Sequence, residues 1–456
     1  MITKMFAQNF KSWKDTGEIR LAPITGLFGS NSSGKTSLMQ LLLMLKQTAE
    51  SSDRSQVLNL GGSLVELGTF RDILYHHAET NTLKYGLSWK LPHQLKIDDP
   101  ERKAKTLLSS DSLAYGAEID ENGSSRTTVK KMSYGFAGQN FGMVRQTKAK
   151  DKFDLFPEKK NSEGTFRFVR TPGRVWPLPP PINCYGFPDQ VKAYYQNEAF
   201  LADFELELKN MFSRVFYLGP LREYPKREYT WAGSQPGDMG RKGERVVDAL
   251  LASREKKEKI SRGKGKKGFT VEEYVAYWLK ELKLIHNFSV EQIKEGSNLY
   301  QVWVQKSSSS AKVLITDVGF GVSQILPVLT LCYYVPEGSI LLMEQPEIHL
   351  HPSVQAGLAD VFIDAIKSRN IQIILESHSE HLLKRLQRHI AEETLESSDA
   401  ALYFCDMKEG RSVLRHLDLT MFGEITNWPE NFFGDDFAEI SAITRAKMER
   451  LKRDNQ

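Results

Sequence analysis

Residues 24–47 read ITGLFGSNSSGKTSLMQLLLMLKQ, and within them Gly29-Ser30-Asn31-Ser32-Ser33-Gly34-Lys35-Thr36 satisfies G-x-x-x-x-G-K-[ST] at every fixed position. The flanks supply the context that such a loop needs. Ile24–Phe28 is an apolar strand candidate leading in, and Thr36–Gln47 is an amphipathic helical stretch leading out. Glycines let backbone N–H groups curl around a phosphate, and the helix N-terminus adds a favourable dipole. The pattern therefore predicts a site for the phosphates of ATP or GTP, contacted by Asn31, Ser32, Ser33, Gly34, Lys35, Thr36 and Ser37. Lys35 is expected on the β- and γ-phosphates, and the Thr36 hydroxyl in the shell of a Mg²⁺ ion.

A second half of such a site lies far along the chain, at Ile340-Leu341-Leu342-Met343-Glu344-Gln345-Pro346-Glu347. A buried apolar strand ending in a carboxylate delivers an acid to the metal shell, so Glu344 joins Thr36 as an expected metal residue. The next apolar run, Ile371–Leu375, ends in Glu376-Ser377-His378-Ser379. An imidazole at the C-terminal end of that strand can reach a γ-phosphate at the ligand-binding edge of a parallel sheet, which makes His378 a catalytic candidate. His378 and His381 also form an H-x-x-H pair, but no further ligands accompany it and a metal finger is rejected.

Outward from these motifs, the chain has 456 residues, 40% apolar and 26% charged, with a formal net charge of +4. That is an ordinary globular composition, and the charge neither demands nor excludes a nucleic-acid partner. Cys184, Cys332 and Cys405 are widely spaced, as in a reduced cytosol. No signal-like N-terminus and no apolar run long enough to span a bilayer is visible, so a cytoplasmic protein with no membrane partner is expected.

The pattern divides the chain into five parts. Residues 1–90 form the first half of a nucleotide-binding domain, and 91–190 a β-rich insertion of short alternating runs. Residues 191–310 form a helical lobe with a basic linker at 254–268 (REKKEKISRGKGKKG), a solvated segment or a DNA-contacting loop. Residues 311–400 alternate helix 323–334, strand 339–343, helix 353–368, strand 371–375 and helix 380–393, as in a mostly parallel α/β sheet. A tail at 401–456 carries two strand candidates, a WP/FF stretch (Trp428-Pro429-Glu430-Asn431-Phe432-Phe433) and a charged helix. No heptad pattern is sustained, so no long coiled coil is expected.

The order of P-loop, GFGVSQ, LLMEQPEIHLHP and ILESHSEHLLKRLQ resembles the SMC/RecF-like branch of the ABC ATPases, and the WP-x-x-FF tail resembles that of a compact prokaryotic subgroup. The resemblance covers 1–70 and 215–450 well and is poor over 90–190. It implies an α/β, ABC-type P-loop ATPase with a β-rich lobe, a helical insertion and no rod. It also implies that ATP is sandwiched between two copies arranged head to tail. The signature segment supplied in trans is then Asp317–Gln324, with Gly319, Gly321 and Ser323 as contacts; Gly319 stands where a serine is usual. Asn9-Phe10-Lys11-Ser12 resembles a turn whose basic residue leans on the phosphates, which adds Lys11. Asp72 is a guess for the Q-loop position.

One departure from the family pattern is informative. Gln345 occupies the place of the glutamate that polarises the attacking water, and glutamine cannot accept the proton. Loss of a general base typically costs about 10²–10⁴ in rate. Slow or absent turnover is therefore expected unless Glu347 turns inward. The resemblance implies a regulatory ATPase subunit of a prokaryotic antiviral system, of the Septu or PARIS type, whose partner is a separate effector nuclease encoded nearby. The alternative is a RecF-like repair ATPase acting on DNA itself. A self-contained nuclease is disfavoured because the stretch after His378 has no D-x-D motif. Thr420–Gln456 is expected either to dock the partner or to cover a sheet edge.

Overall fold

The computed structural model describes residues 1–76, 81–98, 106–121, 126–147, 149, 151–157, 166, 168–173, 176–261, 263, 265, 267–429, 441 and 444–447. Its centre is a sheet in the order β10 (Val215–Leu218), β15 (Ile340–Glu344), β16 (Gln372–Glu376), β4 (Ile24–Gly29), β17 (Ala400–Lys408) and β18 (Arg411–His416). Neighbours from β10 through β17 run parallel, and β18 turns back antiparallel. Strands β4, β15 and β16 are buried at every residue, which is why they read as continuous apolar runs rather than alternating ones.

Alternation still decides what each side chain packs against. Ile340, Leu342 and Ile374 face one core, while Leu341, Met343, Ile373 and Leu375 face another. The first core holds α1 (Lys35–Ala49), α3 (Phe200–Ser213) and a large antiparallel sheet. That sheet runs β2 (Trp13–Asp15), β1 (Ile2–Phe10), β5 (Thr82–Asp98), β6 (Thr106–Glu121), β7 (Thr127–Phe136), β8 (Gln139–Arg145) and β9 (Phe153–Pro157), with β3 (Ile19–Arg20) on β1. The second core holds α4 (Val246–Lys256), α5 (Val271–Glu281), α6 (Phe320–Tyr334), α7 (Pro352–Arg369) and α8 (Glu380–Ala391). Helix α7 joins β15 to β16 and α8 joins β16 to β17, as parallel pairing requires. A short helix, α2 (Gln190–Tyr194), precedes α3.

The architecture is α/β with a mostly parallel central sheet behind the glycine loop, as anticipated from the sequence, and no coiled-coil arm occurs among the described residues. Three expectations need correction. The β-rich region is built not from short runs but from strands as long as β5 and β6, with 17 and 16 residues. It is one sheet with β1, so a boundary at 90/91 would cut through β5. The stretch 191–310 is not purely helical. It contains β10 of the central sheet and a small antiparallel sheet of β11 (Tyr229–Thr230), β13 (Leu299–Gln305) and β12 (Asn287–Gln292), with β14 (Lys312–Leu314) on β13.

The basic stretch starts inside α4, not in a linker. Arg254 grips Glu272 of α5 at 2.7 Å and donates to the Val290 carbonyl. Ile260 and Phe269 then exchange backbone hydrogen bonds of 2.7 and 3.0 Å. The WP/FF stretch from Glu430 onward and most of the charged C-terminal helix lie outside the described residues. No helix among those residues is long and apolar enough to cross a membrane.

One buried side chain helps to stitch the two large sheets together. Buried Gln372 donates to the carbonyls of Ile2 (2.7 Å) and Ala22 (3.1 Å) and accepts from the Ile2 N–H at 2.9 Å. Replacing it with leucine would strand those buried backbone groups, each unmet group costing about 1–3 kcal/mol. Gln372→Leu is therefore expected to lower the unfolding midpoint in urea by the equivalent of about 2 kcal/mol or more, while Gln372→Glu at low pH should recover part of it.

Candidate nucleotide site

The loop between β4 and α1 is shaped by two glycines at positive φ, Gly29 at 132° and Gly34 at 89°. Neither position could carry a side chain. A Cβ on Gly29 would lie 2.0 Å from the Cys405 carbonyl oxygen of β17, and one on Gly34 would lie 2.4 Å from Ser412 Oγ and 2.7 Å from Ser12 Oγ. The loop is braced from below. Trp13 Nε1 donates to the Gly34 carbonyl and to Ser37 Oγ, both at 3.1 Å, and Ser412 donates to Ser12 at 2.6 Å. No side chain caps the N-terminus of α1, so its first-turn N–H groups stay open to an anion.

Lys35 is buried. Its Nζ donates to the carbonyls of Ser30 (2.6 Å) and Gly29 (3.1 Å), so it spans the loop where phosphates would lie. Burial pushes its pKa down, opposed by the Glu376 carboxylate at 3.9 Å. Thr36 Oγ1 donates to Glu376 Oε2 at 2.7 Å. The loop opens on a cleft of about 480 Å³ lined by Ser32, Ser33, Gly34, Lys35, Thr36 and Ser37. Asn31 is exposed and does not line it. These features fit a triphosphate with its metal: glycine positions that admit only backbone, uncapped helix amides, one buried cation, and a hydroxyl beside a carboxylate.

Lys11 reaches the same cleft in a left-handed turn (φ 51°), with Nζ on Gln40 Oε1 at 2.5 Å. Burial lowers its pKa as well. Asp72 also lines the cleft, its carboxylate accepting from the N–H and hydroxyl of Thr69, both at 2.7 Å. Gln40 went unnoticed in the sequence. Its only signal is a position one helical turn after Thr36.

The acids stand on adjacent strands. Glu344 and Glu376 are direct partners in the parallel register of β15 and β16, on the face turned toward α1. Glu344 accepts from the Tyr217 hydroxyl at 2.7 Å, and burial pushes its pKa up to about 7. Arg222 donates to the Glu344 carbonyl at 3.4 Å; its Nε and Nη1 are buried with no hydrogen-bond partner among the described residues. Burial lowers its pKa to about 10. Glu376 falls in a segment quoted from the sequence, yet only the tertiary structure shows what it and Arg222 touch.

Gln345 adopts a left-handed conformation (φ 44°), and its N–H donates to the Glu376 carbonyl at 2.8 Å. The following turn does bend inward. Glu347 is buried, one carboxylate oxygen accepting from the His378 N–H at 2.7 Å and the other without a hydrogen-bond partner among the described residues, and burial raises its pKa. It does not line the cleft. His378 is half-buried, and burial together with the Lys35 charge lowers its pKa, favouring a neutral imidazole. His381 is exposed, and no cluster of three or more His, Cys, Asp or Glu that could hold a metal occurs among the described residues.

Gly319 caps α6 without a side-chain bond and has open space where a Cβ would sit, a Cβ on Gly321 would meet Leu350 at 3.8 Å, and Ser323 Oγ turns back to the Phe320 carbonyl at 2.8 Å. None of the three lines the cleft around Lys35. Beside them the Phe320 ring is 44% exposed and meets the 71% exposed Tyr224 edge-on at 5.4 Å.

Residues 244–383, which carry the α6 start, Glu344 and His378, match the family described as AAA ATPase domain. Residues 395–442 match a family described as "Protein of unknown function (DUF3696)". No curated protein matches the chain. Among solved structures it is similar to an SMC head domain from Thermotoga maritima, at 9% identity and a TM-score of 0.42, covering 91% of this chain and 99% of that one. It is also similar to an Smc head bound to the C-terminal winged-helix domain of ScpA, at 12% identity and 0.44, covering 92% and 98%. A third is an Smc head with an extended coiled coil, bound to the C-terminal domain of ScpA from Pyrococcus furiosus, at 10% identity and 0.43, covering 92% and 96%. The structure brings the residues that match this ATPase family into one sheet with the glycine loop at 29–36.

The raised pKa of Glu344 has a consequence for the metal-free, nucleotide-free protein. The folded state holds a proton on Glu344 up to about pH 7, whereas the unfolded carboxyl releases it near 4.5. Stability from this group is therefore complete below about pH 4.5 and is lost as pH rises through 7, by an amount on the order of 3 kcal/mol. Glu344→Gln should remove that slope, so denaturation midpoints of mutant and wild type should diverge in the mutant's favour between pH 5 and pH 8.

Proposed function

We propose that this chain is an ATP-binding regulatory ATPase subunit, a slow nucleotide switch that controls a separate effector nuclease in a prokaryotic antiviral complex. The observation that carries the reading is a phosphate cradle on a sheet whose neighbouring acid strand runs into a glutamine. Lys35, Thr36 and the α1 amides surround the cleft, while Gln345, next to the acidic pair, has no carboxylate with which to take a proton from water. Glu347 supplies no ready replacement, because it does not line the cleft and one of its oxygens is taken by the His378 N–H. A protein that binds ATP well and hydrolyses it poorly stays in its nucleotide-bound state, which suits signalling better than mechanical cycling.

Self-association belongs to the same reading. The cleft is open, and Gly319, Gly321 and Ser323 present an uncapped helix start away from it. Those features support a head-to-tail pair in which one copy's α6 closes the other's cleft. ATP with Mg²⁺ is the ligand the donor set suits. The direct DNA-repair reading retains one supporting feature, the exposed Lys256, Lys257 and Lys259 at the end of α4. A nuclease gene beside this one favours the regulatory reading, and replication or repair genes favour the other.

Phosphate release by the purified protein is expected to be slow, and Gln345→Glu should raise it by roughly 10²-fold if the rest of the site is intact. Fast turnover by the natural protein would remove the basis of the switch. In light scattering, Mg·ATP should double the mass of the wild type, and Gly321→Glu should block that doubling while leaving ATP affinity nearly unchanged. Equal masses for both proteins with and without ATP would rule out closure in trans.

A further inference from the structure

The sheet order bears on which acid serves the metal. Strands are spaced about 4.8 Å apart. Strand β16 lies between the P-loop strand β4 and β15, so Glu376 is one strand from the loop and Glu344 is two. The backbone around Glu376 is held from both sides: its carbonyl accepts from the Gln345 N–H at 2.8 Å, and the next N–H, of Ser377, donates to the Leu27 carbonyl at 3.0 Å. Its side chain then has one direction to go, into the cleft toward α1.

We propose that Glu376 is the carboxylate of the metal shell at the P-loop, with Glu344 standing behind it as a supporting acid. The assignment rests on the reading of the cleft as a Mg·ATP site. Three observations support it. Glu376 Oε2 already touches the hydroxyl that such a loop gives to the metal, at 2.7 Å from Thr36 Oγ1. Two adjacent ligands of an octahedral Mg²⁺, each bonded at about 2.0–2.1 Å, stand about 2.9 Å apart, so this pair sits near the spacing of neighbouring ligands before any metal arrives. Glu344, by contrast, is engaged by Tyr217 of the edge strand β10 at 2.7 Å and does not line the cleft, whereas Glu376 does.

Lys35 at 3.9 Å from the other Glu376 oxygen completes the arrangement. In the metal-free protein the carboxylate neutralises Lys35 and occupies the Thr36 hydroxyl. When Mg·ATP enters, Lys35 transfers to the phosphates and the Thr36 and Glu376 oxygens turn to the metal. The same side chain thus holds the empty site together and serves the loaded one, and the sequence motif around Glu344 gives no hint of it. The competing explanation makes Glu376 only a counter-ion for Lys35.

The test measures ATP affinity by calorimetry with excess Mg²⁺ and again with EDTA, for wild type, Glu376→Gln and Glu344→Gln. Bound Mn²⁺ is counted by electron paramagnetic resonance in the presence of ATP. Glu376→Gln should lose Mg²⁺ stimulation of binding by about 10–100-fold and lose its bound Mn²⁺. Its EDTA affinity should stay within about threefold of wild type, a difference below 1 kcal/mol. Glu344→Gln should keep its Mn²⁺ and most of the stimulation. If Glu376→Gln does not fold, Glu376→Asp, which keeps the charge beside Lys35 but shortens the reach, should fold and show a reduced stimulation. The assignment is overturned if Glu344→Gln alone loses the metal, or if the Glu376 variants change EDTA and Mg²⁺ affinities equally. A wild-type chain that binds no ATP under either condition removes the nucleotide reading and this assignment with it.

Discussion

Everything at this site depends on how closely β4 approaches β17. Gly29 ends β4 so near the Cys405 backbone that no side chain could intervene. That contact puts the P-loop on the sheet and leaves its amides pointing outward. The antiparallel hairpin of β17 and β18 then carries Ser412 under Gly34, where it meets Ser12 and Trp13 from the turn after β1. A loop that must accept several negative charges is held rigid by parts of the chain 400 residues apart, so its shape precedes the ligand and the ordering entropy is met on folding rather than on binding.

The acids follow from the same sheet. Because side chains alternate along a strand, Ile340, Leu342 and Glu344 share a face, as do Ile374 and Glu376, and that face looks onto α1. Two carboxylates on adjacent strands in a buried place are costly unless cations compensate them. Lys35 lies beside one, and Arg222 lies by the backbone of the other. Among the described residues, Arg222 retains two buried N–H-bearing nitrogens without partners, and Glu347 an unpartnered oxygen. Such unmet groups belong to a site poised for something charged rather than to a finished core.

The elements that surround the site divide by function. The antiparallel lobe and α3 bury an aromatic cluster, in which Phe141 and Phe200 each meet Phe204 and Phe166 packs on Phe200, and back α1 from one side. Helices α4 to α8 back the other and present the uncapped start of α6. The nucleotide cleft lies on the face backed by the first group, and the segment proposed to close a second copy's cleft belongs to the other.

Much of this was legible in the sequence because its signals are local. The P-loop spells out its own glycines, cation and hydroxyl within eight residues, and the strands and helices from Phe320 to Ala391 fall within a few residues of where the apolar periodicity places them. The sequence also shows that a glutamine, Gln345, directly follows the strand-ending acid Glu344. It could not show the length of β5 and β6, whose pairing is with strands far along the chain, or that Val215–Leu218 joins the central sheet. Nor could it decide the neighbour of Thr36. Strand order is a long-range property, set by which apolar faces bury each other, and it was the tertiary structure alone that placed Glu376 against that hydroxyl and drew Glu344 toward Tyr217.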